Sequence, residues 1–250
     1  MSILKDKVAI VTGGGSGIGK QVALKYAAEG AKVVVSDIVE KAGNETVAEI
    51  IAAGGEAFFI KADTGSAAEN ESLVQQTVAK YGALHIACNN AGIGGPSAPA
   101  GEYDLEAWDK VIKINLSGVF YGMRYQIPAI LKSGGGNIVN MASILGKVGF
   151  AGSSAYVAAK HGVVGLTEAA AVEYAAKGVR VNAVGPGFIK TPLVESSMDQ
   201  ASRDALIGLH PIGRLGESAE VAELVLWLSS DKASFVTGSY YNVDGGYLAR

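Results

Sequence analysis

Residues 8–19 read VAIVTGGGSGIG, a short apolar run that passes into a turn rich in glycine. The run is continuous rather than alternating, which is typical of a strand buried on both faces of a parallel sheet. A helical pattern follows at 17–29. The stretch therefore predicts a strand, a tight turn and a helix, the opening unit of an α/β fold.

The same alternation continues along the chain. Apolar runs predict six further strands, at 32–36, 57–60, 84–88, 137–141, 179–184 and 240–243. Helical patterns separate them, at 40–53, 67–81, 105–132, 153–177 and 217–229. Strict alternation predicts one α/β domain over 1–250, a Rossmann-type doubly wound parallel sheet of seven strands with helices on both faces. The long irregular segment 187–215 is expected to be a substrate lid.

Composition restricts the classes of partner. The chain has 250 residues, a net charge of -3 and 18% charged residues, so it lacks the basic character that nucleic acids or anionic membranes attract. No apolar run approaches the ~18 residues of a membrane span, and the N-terminus has no signal-peptide core, which favours a cytoplasmic protein. Cys88 is the only cysteine, expected as a buried, inert thiol.

The glycine turn favours a dinucleotide site over a mere tight turn. Glycines let the backbone turn sharply and approach a pyrophosphate, which the N–H groups of a helix N-terminus bind. The spacing is G-x-x-x-G-x-G and not the stricter G-x-G-x-x-G. We expect cofactor contacts from Gly13, Ser16, Gly17, Ile18 and Gly19.

Asp37 closes the predicted second strand, 24 residues after Gly13. A carboxylate there can accept hydrogen bonds from the adenosine ribose and repel a 2′-phosphate. Gly15, Ser16 and Ile38 offer no cation to hold such a phosphate. The sequence therefore predicts NAD (NADH over NADPH), although Asp37 also suits a cap of the following turn.

Polar residues also follow the third and fourth predicted strands. Ligands of open α/β sheets bind at the carboxyl ends of the strands. Asp63 is a candidate for the adenine amino group, and a structural role is favoured for Asn89. Further cofactor contacts are expected from Thr64, Asn90, Ala91 and Gly92.

Tyr156 and Lys160 stand four residues apart in S-A-Y-V-A-A-K, so on a helix they share a face. A phenol titrates near ~10, and a neighbouring ammonium is expected to lower its pKa. Ser143 ends the predicted fifth strand and can donate to a substrate oxygen while Tyr156 exchanges the proton. The pattern Y-x-x-x-K alone is common by chance. Its occurrence together with Ser143 and the glycine turn favours a catalytic role.

Asn115 lies in the middle of a predicted helix, where asparagine is a poor helix former. A π-bulge at this point would mark a functional site and could aim a carbonyl at a water that bridges to Lys160. Other chemistry is disfavoured. His85, His161 and His210 are weak candidates for bases, no cluster has metal-ligand spacing, and Ser143 has no G-x-S-x-G elbow.

Together these motifs resemble the short-chain dehydrogenase/reductase family over essentially the whole chain. The likeness rests on T-G-x-x-x-G-x-G at 12–19, N-N-A-G at 89–92 and the single residues above. It implies a catalytic tetrad of Asn115, Ser143, Tyr156 and Lys160. It also implies a homotetramer with V-D-G-G-Y (243–247) at the interface, although Asp244-Gly245-Gly246 also suits a simple turn, and a nicotinamide-binding segment. The segment comprises Pro186, Gly187, Ile189 and Thr191.

The likeness is greatest to bacterial NADH-dependent secondary-alcohol dehydrogenases that reduce ketones. We therefore expect reversible hydride transfer between a secondary alcohol and a ketone, with Tyr156 as general acid and base. The loops 93–101, 144–154 and 188–210 would enclose a small uncharged substrate. The alternatives are a 3-oxoacyl carrier-protein reductase and, less favoured, a non-catalytic nucleotide-binding protein. Candidate substrate-facing residues are Ile93, Leu145, Phe150, Phe188, Leu193 and Met198.

Overall fold

The computed structural model describes residues 2–191, 194 and 200–250. Its main sheet has seven parallel strands in the order β3-β2-β1-β4-β5-β6-β9, which confirms the predicted doubly wound architecture. Each predicted strand forms within two residues of its expected bounds. The strands are β1 (Val8–Thr12), β2 (Lys32–Asp37), β3 (Glu56–Lys61), β4 (Ile86–Asn89), β5 (Gly136–Met141), β6 (Val179–Pro186) and β9 (Tyr240–Val243).

Helices cover both faces of this sheet. Alternate residues of β1 point to opposite faces: Ala9 and Val11 pack with α1 and α8, and Ile10 packs with α3, α5 and α6. This two-sided burial explains why the strands read as continuous apolar runs. Cys88 is buried as predicted, and burial raises the pKa of its thiol to about 12. The helices are α1 (Gly17–Ala28), α2 (Glu40–Ala52), α3 (Ala67–Tyr81), α4 (Leu105–Ile112), α5 (Gly118–Lys132), α6 (Ser154–Tyr174), α7 (Gln200–Gly208) and α8 (Ser218–Ser229).

Two segments differ from the sequence-based expectation. The single helix predicted for 105–132 is divided by a π-helical turn at Lys113–Ser117. The segment 187–215 is not irregular throughout, because it contains α7 and the short strand β7 (Ile189–Lys190), which pairs in parallel with β8 (Gly216–Glu217). Short apolar and polar stretches around prolines gave no periodic signal for these elements.

The strand order reverses between β1 and β4, which are neighbours although β2 and β3 separate them in sequence. A crevice opens at such a switch point, at the carboxyl ends of the strands. This geometry brings the turn after Thr12 beside the loop after Asn89. None of the described helices combines the length and the apolar character that crossing a membrane requires.

Candidate active site

The glycine turn between β1 and α1 has the shape of a phosphate cradle. Gly13 and Gly17 adopt φ angles of 63° and 53°, in the left-handed region that favours glycine. A Cβ on Gly19 would collide with the Gly13 carbonyl, so the third glycine lets the helix close on the turn. Ser16 at the N-cap makes no side-chain capping bond, and the first turn of α1 has no acidic residue. The turn therefore fits the pyrophosphate of a dinucleotide.

Asn90 and Thr12 brace this turn across the switch point. The backbone N–H groups of Asn90 and Ala91 donate to Thr12 Oγ1, at 3.0 and 3.1 Å. The Asn90 Nδ2 atom donates to the Thr12 carbonyl at 2.9 Å. Asn89 is buried instead and bonds to Gln126 and Asn140, as its favoured structural interpretation requires.

The Asp37 carboxylate lies at the end of β2 and beside the glycine turn. One oxygen accepts a hydrogen bond from the Gly15 N–H at 2.9 Å, and the other accepts from the Val39 N–H at 2.9 Å. Asp37 therefore caps the turn that follows β2, as one of its two interpretations predicted, and it also binds the glycine turn. At the end of β3, Asp63 accepts from the Gly65 N–H at 2.8 Å. Both acids thus lie at the sheet edge where a ligand would bind.

Tyr156 and Lys160 lie in the first two turns of α6, on one face as predicted. The Lys160 Nζ atom is 5.5 Å from the centroid of the Tyr156 ring and donates to the Met141 carbonyl at 2.7 Å. Ser143, two residues after Met141, has an extended backbone, and its Oγ atom accepts from the Leu145 N–H at 3.2 Å. The end of β5 and the start of α6 therefore assemble three of the four tetrad candidates.

The pKa of Tyr156 differs from the sequence-based expectation. Burial raises it above the usual value of a phenol, and a hydrogen bond with Ser143 opposes this only in part. The net shift of the Tyr156 pKa is therefore upward, and not the lowering that was expected from Lys160. Burial in turn lowers the pKa of Lys160 to about 8, because the ammonium is 3% exposed. Around neutral pH the phenol is protonated, the form that donates a proton.

The π-helical turn positions Asn115, which is fully buried. Its Oδ1 atom accepts from the Ile93 N–H at 2.8 Å, and its Nδ2 atom donates to the Ile93 carbonyl at 2.7 Å. A Cβ on Gly92 would lie 3.0 Å from Asn115 Oδ1 and 3.8 Å from Lys160 Nζ. Asn115 therefore fixes the loop after β4 next to Lys160. The water-bridged carbonyl stays a prediction.

The three predicted substrate loops contact one another, and the loop 93–101 packs beside Tyr156. The Ala98 N–H donates to the Gly152 carbonyl at 3.1 Å, which joins the loops 93–101 and 144–154. Phe150 contacts Phe188 edge to face, with 5.8 Å between ring centroids. Ile93 packs in one cluster with Tyr156, whereas Leu145 is only 6% exposed. Leu193 and Met198 lie outside the described residues.

The nicotinamide-binding candidates follow β6 on one continuous segment. Pro186 ends that strand, and Gly187 donates its N–H to the Val243 carbonyl at 2.9 Å. Ile189 is buried in β7, and Thr191 Oγ1 accepts from the Val194 N–H at 3.3 Å. The segment is therefore held by β9 through Gly187 and by β8 through the pairing of Ile189 with Gly216.

Three residues near the site have no short-range signal in the sequence. His210 accepts from the Phe188 N–H at 3.2 Å, and its ring lies 5.7 Å from both the Phe188 and Tyr247 rings. Tyr240 donates from its hydroxyl to the Ser143 carbonyl at 2.7 Å. Each contact joins residues more than 20 positions apart, which periodicity and spacing do not reveal.

A cavity of about 320 Å³ borders the Gly187–Ile189 segment. It is lined by residues that include His210, Ile212 and Asp244, and none of the four tetrad candidates lines it. The reacting carbon has to lie within reach of Tyr156. We therefore place the candidate active site at Tyr156 and not in this cavity.

Comparison with known proteins agrees with this geometry. A family model described as enoyl-(acyl carrier protein) reductase matches residues 13–248. A cyclohexanol dehydrogenase of Acinetobacter sp. is 53% identical over 98% of this chain and 96% of its own. The 3-oxoacyl-[acyl-carrier-protein] reductase FabG of Thermotoga maritima is 39% identical over 98% and 99%. A crystal structure of levodione reductase superposes with a TM-score of 0.96 and 39% identity, covering 98% and 99% of the two chains.

Proposed function

The chain belongs to the short-chain dehydrogenase/reductase family of oxidoreductases, and from this premise we propose that it interconverts cyclic secondary alcohols and ketones with NAD(H). Dehydrogenases of this family use nicotinamide cofactors. The observation that carries the proposal is the cluster of the buried Ser143 and Lys160 with the half-buried Tyr156, at the edge of the sheet that bears the glycine turn.

In this proposal the cofactor supplies hydride chemistry, and the residues of the chain bind, orient and exchange a proton. Ser143 donates a hydrogen bond to the substrate oxygen, since its own Oγ accepts from Leu145 and leaves its proton free. Tyr156 donates its proton to that oxygen during reduction and recovers one during oxidation. Lys160 favours the ionised phenol, and Asn115 holds the loop at Ile93 in place.

The preference for NAD over NADP is part of the proposal. The support is Asp37, whose carboxylate lies beside the glycine turn with the exposed Ile38 next to it. A carboxylate at this strand end accepts from ribose hydroxyls and repels a 2′-phosphate. The remaining cofactor contacts are proposed for the glycine turn, Asp63, Thr64, Asn90–Gly92 and the segment from Pro186 to Thr191.

The cyclic substrate is proposed from two observations. The relative with 53% identity is named for cyclohexanol. Ile93 packs in one cluster with Tyr156, and the predicted substrate loops also carry Phe150 and Phe188, whose rings contact each other. These apolar and aromatic side chains suit an uncharged ring. The segment 187–215 is proposed as the lid over that ring.

A direct test follows absorbance at 340 nm with cyclohexanone, open-chain ketones and a 3-oxoacyl thioester, each with NADH and with NADPH. We expect turnover of the cyclic ketone with NADH at the highest kcat/KM. Absence of turnover with every ketone, while NADH still binds, would favour the non-catalytic alternative.

The alternative of a 3-oxoacyl carrier-protein reductase is supported by the similarity to FabG. The observations favour it less, because the identity is 39% against 53% for the cyclohexanol dehydrogenase. A net charge of -3 also gives no general attraction for an acidic carrier protein. A higher kcat/KM for the 3-oxoacyl thioester with NADPH would establish this alternative.

A homotetramer is also proposed, on the resemblance to the family. In a tetramer, partner subunits would cover exposed apolar side chains on α4, α5 and α6. They are Leu105, Phe120 and Val172, which are 78%, 47% and 85% exposed. Light scattering coupled to size exclusion would give about 100 kDa for a tetramer of 25.5 kDa chains and about 25 kDa for a monomer. The cytoplasmic location stays a prediction.

A further inference from the structure

The side chain of Tyr240 reaches Ser143 from the last strand of the sheet. Its hydroxyl donates a hydrogen bond to the Ser143 backbone carbonyl, with 2.7 Å between the oxygens, across 97 positions of sequence. We propose that Tyr240 is a positioning residue that holds Ser143 in the orientation needed for its hydrogen bond with Tyr156. This inference rests on the proposed function, because Ser143 matters there as the donor to the substrate oxygen.

Gly185 makes the space for this phenol. It lies on β6, which pairs with β9 so that Tyr240 is opposite Ala183. A Cβ on Gly185 would overlap both the ring and the hydroxyl of Tyr240. The φ angle of Gly185 is not positive, so its backbone does not require glycine. The absence of a side chain at 185 is therefore explained by the position of the Tyr240 ring.

The ring of Tyr240 also contacts the elements that carry the tetrad. It packs on a cluster that contains Ala142, next to Ser143, and Val163 of α6. The Lys147 Nζ atom lies 5.1 Å from its centroid. The Leu145 N–H donates to the Ser143 hydroxyl oxygen, and the Ser143 carbonyl accepts from both Tyr240 and the Gly146 N–H, the latter at 2.8 Å, so both oxygens of Ser143 are fixed. This leaves the Ser143 hydroxyl proton for Tyr156 or the substrate.

Loss of the Tyr240 hydroxyl should affect the reaction by changing the pKa of Tyr156. The hydrogen bond with Ser143 lowers the pKa of Tyr156, so a loosened Ser143 lets that pKa rise. The charged and titratable groups around the pair are Lys160 beside Tyr156, and Lys147 and Asp244 near Tyr240. Burial, Asp244 and Tyr156 together raise the pKa of Tyr240, so it remains a protonated donor over the working range.

The test compares Tyr240→Phe with Tyr241→Phe in the full-length enzyme. Tyr241 is the next residue of β9, and its ring instead packs edge to face with Trp227 at 6.1 Å. For Tyr240→Phe we expect kcat for cyclohexanol oxidation to fall by about 3- to 10-fold, the equivalent of one lost hydrogen bond. The apparent pKa of the kcat/KM profile should move to higher pH, while the Kd of NADH from fluorescence stays unchanged. Tyr241→Phe should match the wild type in all three.

A fall in kcat together with the alkaline shift, confined to Tyr240→Phe, supports the proposal. Wild-type kcat and an unshifted profile overturn it, as does a fall in kcat without the shift, which would indicate packing alone. If circular dichroism shows that Tyr240→Phe is unfolded, Gly185→Ala displaces the same hydroxyl and is judged by the same outcomes. An inactive wild-type enzyme would contradict the proposed function itself, which keeps the two failures distinguishable.

Discussion

Two regions of the site differ in how they are held together. The first, the cofactor side (residues 12–19, 37 and 89–92), consists of strand ends and the turns directly after them. Hydrogen bonds of 2.9 to 3.1 Å join Thr12 to Asn90 and Ala91, and Gly15 to Asp37. The second region, the substrate side, consists of three loops (93–101, 144–154 and 188–210). They meet through the Ala98–Gly152 hydrogen bond and the contact of Phe150 with Phe188. Adjacent strands determine the first side, and contacts between distant loops determine the second.

This difference assigns separate tasks to the two sides. Strand pairing fixes the positions of the residues on the cofactor side, so one carboxylate at a strand end can select between NAD and NADP. The substrate side depends on how aromatic rings from separate loops stack, so its selectivity should change gradually with single substitutions. Ser143, Tyr156 and Lys160 lie where the sides meet, and changes there should affect the reaction regardless of substrate.

The largest effect is expected at this junction. Tyr156→Phe should lower kcat by about 10²–10⁴, because the phenyl ring has no proton to exchange. NADH binding, measured by fluorescence, should stay within about twofold of wild type, since the substitution removes one hydroxyl only. Tyr174→Phe, at the far end of the same helix, is the matched control. A kcat for Tyr156→Phe close to that of this control would contradict the assignment.

The next effect is expected on the cofactor side. Asp37→Ser should shift the ratio of kcat/KM for NADH to that for NADPH by roughly 10- to 100-fold toward NADPH, because a charged hydrogen-bond acceptor is lost and a repulsion is removed. Glu40→Ser removes an exposed carboxylate three residues away and should leave the ratio unchanged. Equal shifts in the two variants would mean that general charge, and not the strand-end position, determines the preference.

A smaller effect is expected on the substrate side. Phe188→Ala should raise KM for cyclohexanone about 3- to 10-fold through the loss of apolar contact, with the Kd of NADH unchanged. Phe235→Ala changes a fully exposed phenylalanine and serves as the control. A change in NADH affinity that equals the change in KM would show that the two sides are not separable.

The smallest effect concerns the charge of Lys160. Its pKa is lowered to about 8 in the folded protein from 10.5, so between these values the unfolded chain binds more protons. The free energy of unfolding therefore rises with pH in this range. Relative to Lys160→Met, the wild type should gain about 1 kcal/mol between pH values of about 7.5 and 9, measured by urea denaturation. A constant difference between the two proteins would mean that Lys160 does not titrate there.

The same contrast explains what the sequence could predict. Every strand of the main sheet and the positions of Gly13, Asp37, Ser143, Tyr156 and Lys160 follow from local patterns and motif spacing. Asparagine suits a helix interior poorly, which raised the possibility of a π-bulge at Asn115, and the structure has a π-helical turn there within the predicted helix 105–132. These features depend on neighbours within a few residues of each other.

Contacts between distant segments could not be predicted in this way. Helix α7 and strand β7 have no clear periodicity, and the prediction of an irregular segment at 187–215 was wrong there. The raised pKa of Tyr156 depends on burial by several elements, which residue spacing does not report. Glycine is needed at position 185 because of the Tyr240 ring, and this contact exists only because β6 pairs with β9.

The central claim is that the enzyme passes hydride directly between the cofactor and a carbinol carbon. The most direct test uses NADH carrying two deuterium atoms at C4, with cyclohexanone and the wild-type enzyme, and analyses the alcohol by mass spectrometry and NMR. We predict cyclohexanol with one deuterium atom, bonded to the carbinol carbon. Cyclohexanol without deuterium at that carbon would contradict the account.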